Sequence, residues 1–299
     1  MPDAGRSGIG GNSGVGGDSE VGGDSEVEGG TVRRLDAALA ERGVARSRTK
    51  AARLIADGGV TVDGVTAFKA SMRVRDSQHL ALTASDHYVS RAAHKLIAAL
   101  DGFDIVVEGR SALDVGASTG GFSQVLLERG AAAVVALDVG HGQLSDEVSR
   151  DGRVTVIEGF NAREMTASML AEVAGHAVTP DLVVADLSFI SLPIALPAIV
   201  ETVGRDADYV LLVKPQFEVG RTGIREGIVH DAGLRADAVN GVLWAAWDLG
   251  LQTAGVMSSP IAGNAGNLEY LVWLSAAVGS NPTEWSDRVN ALASPTTQH

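Results

Sequence analysis

Lys95, Asp186, Lys214 and Glu269 are the residues of this chain whose types and spacing best suit chemistry. Asp186 follows the apolar run Leu182 to Ala185, Lys214 ends the run Tyr209 to Val213 just ahead of Pro215, and Glu269 stands beside Tyr270 near the final strand. In open α/β sheets, functional groups gather beyond the carboxyl ends of the strands. Lys95, from a helical segment ahead of the first strand, can reach the same edge. Amines and carboxylates converging there are groups that orient and move protons. Singly, each has a plainer reading: Asp186 as a helix cap, Lys214 as a strand end, Glu269 as a solvent-facing acid.

A second cluster makes the convergence more meaningful. Residues Ser111 to Phe122 read as an apolar strand, a small-residue turn and the start of an amphipathic helix. This is where a doubly wound sheet lets a nucleotide-like ligand approach the backbone. The turn is Gly116-Ala117-Ser118-Thr119-Gly120-Gly121, followed by Phe122, and it departs from the Gly-x-Gly-x-x-Gly spacing of dinucleotide binders. Asp114, just before the first glycine, suits a cationic ligand better than a pyrophosphate. Asp138 ends the next apolar run, 24 residues after Asp114, where an acid commonly accepts hydrogen bonds from ribose hydroxyls. The reading favours S-adenosylmethionine over a dinucleotide or a turn that merely packs. Val139 and Asn161 complete the candidate donor-binding set.

Positioning these groups requires a sheet, and the chain supplies one. Strands are expected at Ala112–Val115, Ala133–Leu137, Val154–Ile157, Leu182–Ala185 and Tyr209–Val213. Helices are expected over Tyr88–Leu100, Gln143–Ser149, Arg163–Val173, Ile194–Val203 and Leu234–Leu249. Two closing strands fall near Leu251–Met257 and Leu268–Trp273. The alternation indicates an α/β, doubly wound, Rossmann-like methyltransferase sheet that is mostly parallel and ends antiparallel. Leu182 to Val200 carries only Asp186 as a charge over 19 residues, yet Pro193 and Pro197 interrupt it. It reads as strand, loop and helix rather than a membrane span.

The net charge of −13 conceals a division. Residues 1–30 are Gly-rich with net −5 and are expected to be disordered, since they cannot bury enough apolar surface to offset ordering. Residues 31–83 carry ten Lys/Arg against five acids, and residues 84–299 thirteen against twenty-six. Arg46, Arg48, Lys50 and Arg53 crowd the second of two short helices, ahead of a hairpin turning at Asp63-Gly64. A basic face of this density favours an RNA-backbone surface over a merely solvated one. The absence of cysteine excludes disulfides and cysteine-ligated zinc, and no metal site is expected. Nothing in the first 30 residues has the apolar core of a signal peptide, so the cytoplasm is the expected compartment.

The basic segment resembles the S4 RNA-binding domain through Arg34-Leu-Asp, Ala45-Arg-Ser-Arg and Gly59-Val-Thr-Val-Asp-Gly, with Gly59 where a lysine is usual. Residues 88–275 resemble the FtsJ/RrmJ-like methyltransferases. Ser90-Arg91-Ala-Ala-His-Lys95-Leu, Asp186, Lys214 and Glu269 occupy the family's Lys-Asp-Lys-Glu pattern in order. The closest resemblance is to the TlyA (hemolysin A-like) family, through Leu113-Asp-Val-Gly-Ala-Ser-Thr-Gly-Gly-Phe, Asp138-Val-Gly-His-Gly-Gln-Leu, Asp186-Leu-Ser-Phe-Ile-Ser-Leu, Val213-Lys-Pro-Gln-Phe-Glu and Gly266-Asn-Leu-Glu-Tyr-Leu. His141, Ser145-Asp-Glu and Gly263-Asn-Ala-Gly depart from that pattern.

The resemblance implies 2′-O-methylation of cytidine in 23S and, in some members, 16S ribosomal RNA, with ribosomal RNA or subunits as partner and S-adenosylmethionine as donor. It implies Lys214 as base, Asp186 and Lys95 as orienting groups, Glu269 as the fourth member, and Arg34, Arg46, Arg48, Lys50, Arg53 and Arg91 as RNA contacts. An unperturbed lysine titrates near about 10.4, and flanking carboxylates favour its charged form. Positioning is therefore expected to supply part of the acceleration. The implied organisation is a tail (1–30), an S4-like domain (31–83), a linker and first helix (84–110), a catalytic domain (111–280) and an extension (281–299). A membrane-lytic protein, a small-molecule methyltransferase or dehydrogenase, and an RNA binder without catalysis are the competing readings.

Overall fold

The computed structural model describes residues 32–56, 58–67, 69–82, 87–263 and 266–294; the tail expected to be disordered and the last five residues lie outside it. The amino-terminal unit runs β1 (Val32–Arg34), α1 (Leu35–Glu41), α2 (Arg48–Ala56), β2 (Val60–Val62), β3 (Val65–Thr66), β4 (Arg73–Arg75) and β5 (Leu80–Leu82). Leu35, Ala38 and Leu39 recur at helical spacing and meet Ala51 and Ile55 of α2 over Val60, Val62 and Val74, giving the unit its own apolar core. Asp63 and Gly64 both take positive φ, 51° and 82°, as a two-residue hairpin turn of type I′ requires. β2 pairs antiparallel with β3 and β5. The β1–β4 ribbon was not expected, because within it only Val74 is buried and the cations on either side of it mask the alternation.

Buried Asp36 holds this unit's two helices together. Its carboxylate accepts from Arg34 Nε at 3.0 Å and from Arg48 Nη2 at 3.1 Å. The Arg34 hydrogen bond, joined by that of Arg48, pulls the carboxyl from 3.8 to about 2 against the opposing effect of burial. A carboxyl with a depressed folded pKa stabilises the fold fully above its unfolded value and loses that contribution as pH falls through the folded one. Hydrogen-exchange protection of the α1 and α2 amides, corrected for intrinsic rates, should therefore hold from pH 7 to about 4 and decline towards pH 2. Asp36→Asn should lower protection at pH 7 and remove that decline.

The second unit runs α3 (Ala93–Gly102), β6 (Ser111–Val115), α4 (Gly121–Glu128), β7 (Ala133–Leu137), α5 (Asp146–Ser149), β8 (Val154–Ile157), α6 (Ala167–Ala174), β9 (Leu182–Ala185), α7 (Leu192–Val203), β10 (Asp208–Val213), α8 (Pro215–Glu218), α9 (Ala232–Asp248), β11 (Gln252–Ser258), β12 (Tyr270–Ser275) and α10 (Ser286–Ala293). The seven-stranded sheet has the order β11-β12-β10-β9-β6-β7-β8. It is parallel from β8 to β10, and β12 enters antiparallel between β10 and β11. Helices cover both faces, so central strands such as β9 are buried at every position and read as unbroken apolar runs. Strand order reverses between β6 and β9, which places a ligand crevice above their carboxyl ends.

Local chemistry moved several boundaries. Ser145 Oγ accepts from Val148 N at 3.4 Å and caps α5, so the helix expected from Gln143 starts at Asp146. The helix expected at Arg163–Val173 is a 3-10 turn at Ala162–Glu164 and a separate α6, with Thr166 as cap. Leu182 to Val200 resolves into β9, a loop and α7 with Pro197 inside it, and no described helix is long and apolar enough to cross a membrane. Val289 and Ala293 of α10 join the main core.

Candidate active site

The loop after β6 is shaped by steric necessity. Gly116 has φ +86° and a Cβ there would stand 3.1 Å from the Asp186 carbonyl oxygen, because register pairs Val115 with Ala185. Gly120 has φ +95° and a Cβ there would stand 2.9 Å from Leu144, while a Cβ on Gly121 would meet Ser90 at 2.9 Å. Ser118, also at positive φ, donates its amide to Asp138 Oδ2 at 2.8 Å, and Gly140 N donates to Oδ1 at 2.7 Å. Asp138 thus faces the loop as a backbone-held carboxylate at the end of β7. Asp114 lies fully buried beneath the loop, with Oδ2 accepting from Ser123 Oγ at 2.6 Å and Oδ1 without a partner. Burial pushes its carboxyl up to about 7 despite the Ser123 hydrogen bond. A buried acceptor lacking a donor suits a cationic group arriving with the ligand.

The four polar residues converge. Val213 pairs with Tyr270 across β10 and β12, which brings Lys214 and Glu269 to one edge. Lys214 Nζ lies 2.6 Å from Asp186 Oδ1, an ion pair without the angle of a directed hydrogen bond, and donates to Ser188 Oγ at 2.7 Å. Lys95, from α3, donates to Glu269 Oε2 at 2.6 Å with both side chains buried. Burial pushes the Asp186 carboxyl up, but the charges of Lys214, Lys95 and Arg91 outweigh it and hold the group below its ordinary value. All four line one cavity of about 490 Å³, together with Gly116 to Thr119, Gly121 and Phe122. A second cavity of about 840 Å³ adjoins it across Gly116, Ser118 and Asp186 and is lined by Asp138, Val139, Asn161 and the apolar Leu187 and Ile190. Gly120 and Asp114 line neither cavity and act from beneath.

Other residues of the site were not singled out from sequence. Glu218 accepts from Ser191 Oγ at 2.6 Å and from the Leu192 amide at 2.9 Å, fastening the segment that carries Lys214 to the far end of the Asp186 loop. Within that loop Phe189 takes φ +66°, is 92% exposed, and packs against Phe217 at 5.3 Å between ring centroids. Asn267, buried against the same cavity, accepts from Val229 N and donates to Gly227 O. Gly263 must lack a side chain, because a Cβ would collide with Glu269 Oε1. The signals were present in the Val213–Glu218 and Gly266–Leu271 phrases, but only three-dimensional contact assigns the roles.

The candidate RNA contacts divide. Arg91 lines the cavity rather than standing with the basic segment. Arg46 and Lys50 are exposed, and among the described residues neither has an acidic partner. Arg34 and Arg48 both bind Asp36. Arg53 lies on α2.

A glycine loop at the switch point, a carboxylate ending the next strand, and a final antiparallel strand inserted beside β10 define the class of Rossmann-like methyltransferases. The chain belongs to the FtsJ-like methyltransferase family, which matches residues 88–276, and its amino-terminal unit matches the S4 domain over residues 33–80. Within that family its relatives include TlyA proteins. The 16S/23S rRNA (cytidine-2′-O)-methyltransferase TlyA of Mycobacterium tuberculosis is 52% identical over 81% of this chain and 89% of the relative. Hemolysin A of Brachyspira hyodysenteriae is 38% identical over 80% of this chain and 98% of the relative. A solved structure of a hemolysin-named protein from Streptococcus thermophilus superposes with a TM-score of 0.67 at 35% identity, covering 88% of this chain and 95% of that one.

Glu218→Ala removes the two hydrogen bonds that fix the Asp186 loop, each worth about 1 kcal/mol net. Denaturant unfolding should show a loss of about 1–3 kcal/mol, and methyl transfer should fall more steeply than stability accounts for. Unchanged turnover would show that the loop holds its shape without this fastening.

Proposed function

We propose that the chain transfers a methyl group from S-adenosylmethionine to a ribose 2′-hydroxyl of ribosomal RNA, that of a cytidine in 23S and also in 16S rRNA. The reading rests on one observation above the others: both lysine–carboxylate pairs line a single cavity that adjoins the glycine loop. The relatives' substrates supply the choice of nucleotide and RNA. Residues 31–83 hold RNA, residues 111–280 carry out transfer with 84–110 leading into them, and within the extension 281–299 α10 braces the fold.

The donor fits the residues present. S-adenosylmethionine, when bound, supplies the electrophilic methyl group and two cationic centres. Asp114 and the Gly116–Phe122 loop would hold its cationic end, and Asp138, Val139 and Asn161 its nucleoside end, along the larger, more apolar cavity. Asp186 remains an anion beside Lys214 and holds its Nζ in place by charge. Ser188 takes one Lys214 N–H, leaving the amine a direction towards the cavity. Lys214 must first release a proton to water. Its neutral Nζ would then take the hydroxyl proton as the ribose oxygen bonds to the methyl carbon and the donor's carbon–sulfur bond breaks, leaving a neutral thioether. Lys95, neutralised by Glu269, lines the same cavity and would orient the hydroxyl. Much of the acceleration then comes from alignment of the hydroxyl with the methyl carbon.

Lys214→Met tests the central assignment. Transfer of labelled methyl to 50S and 30S subunits should drop by at least about 10²-fold, while donor affinity measured by calorimetry stays within about twofold of wild type. Wild-type turnover by this variant would overturn the base assignment, and no incorporation by the wild-type enzyme would favour RNA binding without catalysis.

Asp114 predicts a pH dependence. Its raised pKa leaves it neutral below about 7, so the charge that attracts a cationic donor is present above that pH and lost as pH falls. Donor affinity should weaken as pH drops from 7.5 to about 5.5, approaching tenfold per unit at the acid end. Asp114→Asn should weaken binding at pH 7.5 and flatten the dependence.

A further inference from the structure

The ten cations of residues 31–83 are not equivalent. Asp36 binds Arg34 and Arg48, Arg33 binds Glu41 and Asp76, and Arg42 reaches Asp76 as well as the Gln78 and Arg75 carbonyls. Arg46, Lys50, Lys69, Arg73 and Arg75 are exposed, and none has an acidic partner among the described residues. Three of these five lie on or just before β4, where no RNA contact was expected from sequence.

The five occupy adjoining ground. Arg73 and Arg75 flank buried Val74 and so project from the same face of β4, about 7 Å apart along the strand. Arg34 pairs with Arg73 across the ribbon, so the two share that face. Arg34 binds Asp36, whose backbone amide donates to Ala70 O and whose carboxylate binds Arg48 at the start of α2. Asp36 thus joins the approach to β4, where Lys69 stands, to the helix start that carries Arg46 and Lys50.

Resting on the RNA substrate proposed above, we infer that the outer face of β4, with Lys69, is a phosphate-backbone contact for that RNA, continuous with the start of α2. The Asp36 cluster is its scaffold. Cations that are already internally paired must break that pair to meet a phosphate, whereas the five free ones meet it at no such cost and release counterions on doing so. Cations on a short ribbon also guard against edge-to-edge strand pairing. That role needs no RNA, so the measurement must separate the two.

Each phosphate contact contributes about 0.7 to 0.9 to the slope of log affinity against log salt. For the full chain binding 23S rRNA, Arg73→Ala/Arg75→Ala should lower that slope by about 1.4 to 1.8. KM for RNA should rise, while kcat and donor affinity stay unchanged. Arg73→Lys/Arg75→Lys should retain the wild-type slope, which excludes misfolding as the cause. Arg33→Ala/Arg42→Ala removes the same formal charge from paired positions and should change the slope by less than half as much. A wild-type slope in the β4 alanine variant would overturn the inference in favour of an edge guard. Equal losses in both alanine pairs would also overturn it, since net charge alone would then account for binding. Absent methyl transfer in the wild type, with these slopes intact, would instead strike the catalytic reading.

Discussion

Four ionisable groups withdrawn from water at the carboxyl edge of a parallel sheet are the constraint on which the rest of the structure depends. Lys95, Glu269 and Lys214 are each under 10% exposed, and Asp186 is little more open. Burying an ion costs several kcal/mol, and its partner repays this only through close geometry and further hydrogen bonds. Two 2.6 Å ammonium–carboxylate contacts supply the first requirement, and Ser188 supplies part of the second. Apolar residues of similar volume would stabilise such a site at least as well. Stability therefore gives no reason for the pairs.

Everything around them serves that geometry. Parallel pairing of β9 with β6 and β10 brings Asp186 beside Gly116 and within reach of Lys214, while antiparallel β12 delivers Glu269 from the other direction. The α3 helix then needs only one lysine aimed at β12 to complete the second pair. A missing side chain is required where these parts crowd: Gly116 beneath Asp186, and Gly263 against Glu269. Behind the site, buried Arg235 donates to the Val229, His230 and Ala293 carbonyls, so α10 braces the loop that Asn267 holds at the cavity wall. The carboxyl-terminal segment is in this sense part of the support for Glu269.

The sheet was legible in the sequence because strands buried on both faces leave unbroken apolar runs, and their polar stops mark the functional edge. Asp186 and Lys214 were legible as the polar stops of their strands, and with Lys95 and Glu269 they line one cavity. Ser188, Glu218 and Asn267 were not, since an exposed-type residue that fastens a loop has no periodic signature and depends on a partner 26 to 38 residues away. The β1–β4 ribbon was not legible, because three-residue strands with a single buried position carry too little pattern. α5 and α6 began later than periodicity suggested because Ser145 and Thr166 compete for the amides of the first turn as caps.

The same local logic resolves how so acidic a catalytic unit can receive a polyanion. Residues 84–299 carry twice as many acids as bases, yet charges are screened beyond about 8 Å at physiological ionic strength. The wall of the cavity presents Arg91, Lys95 and Lys214 alongside Asp186 and Glu269, so cations stand among its acids. Asp114, beneath the loop, is held half-neutral near pH 7 by burial and adds little negative field until a cation draws the proton off. The entrance is thus tuned group by group. The acids that dominate the overall balance bear on solubility, while the charge felt by an approaching phosphate is set by the few residues the fold gathers at the switch point.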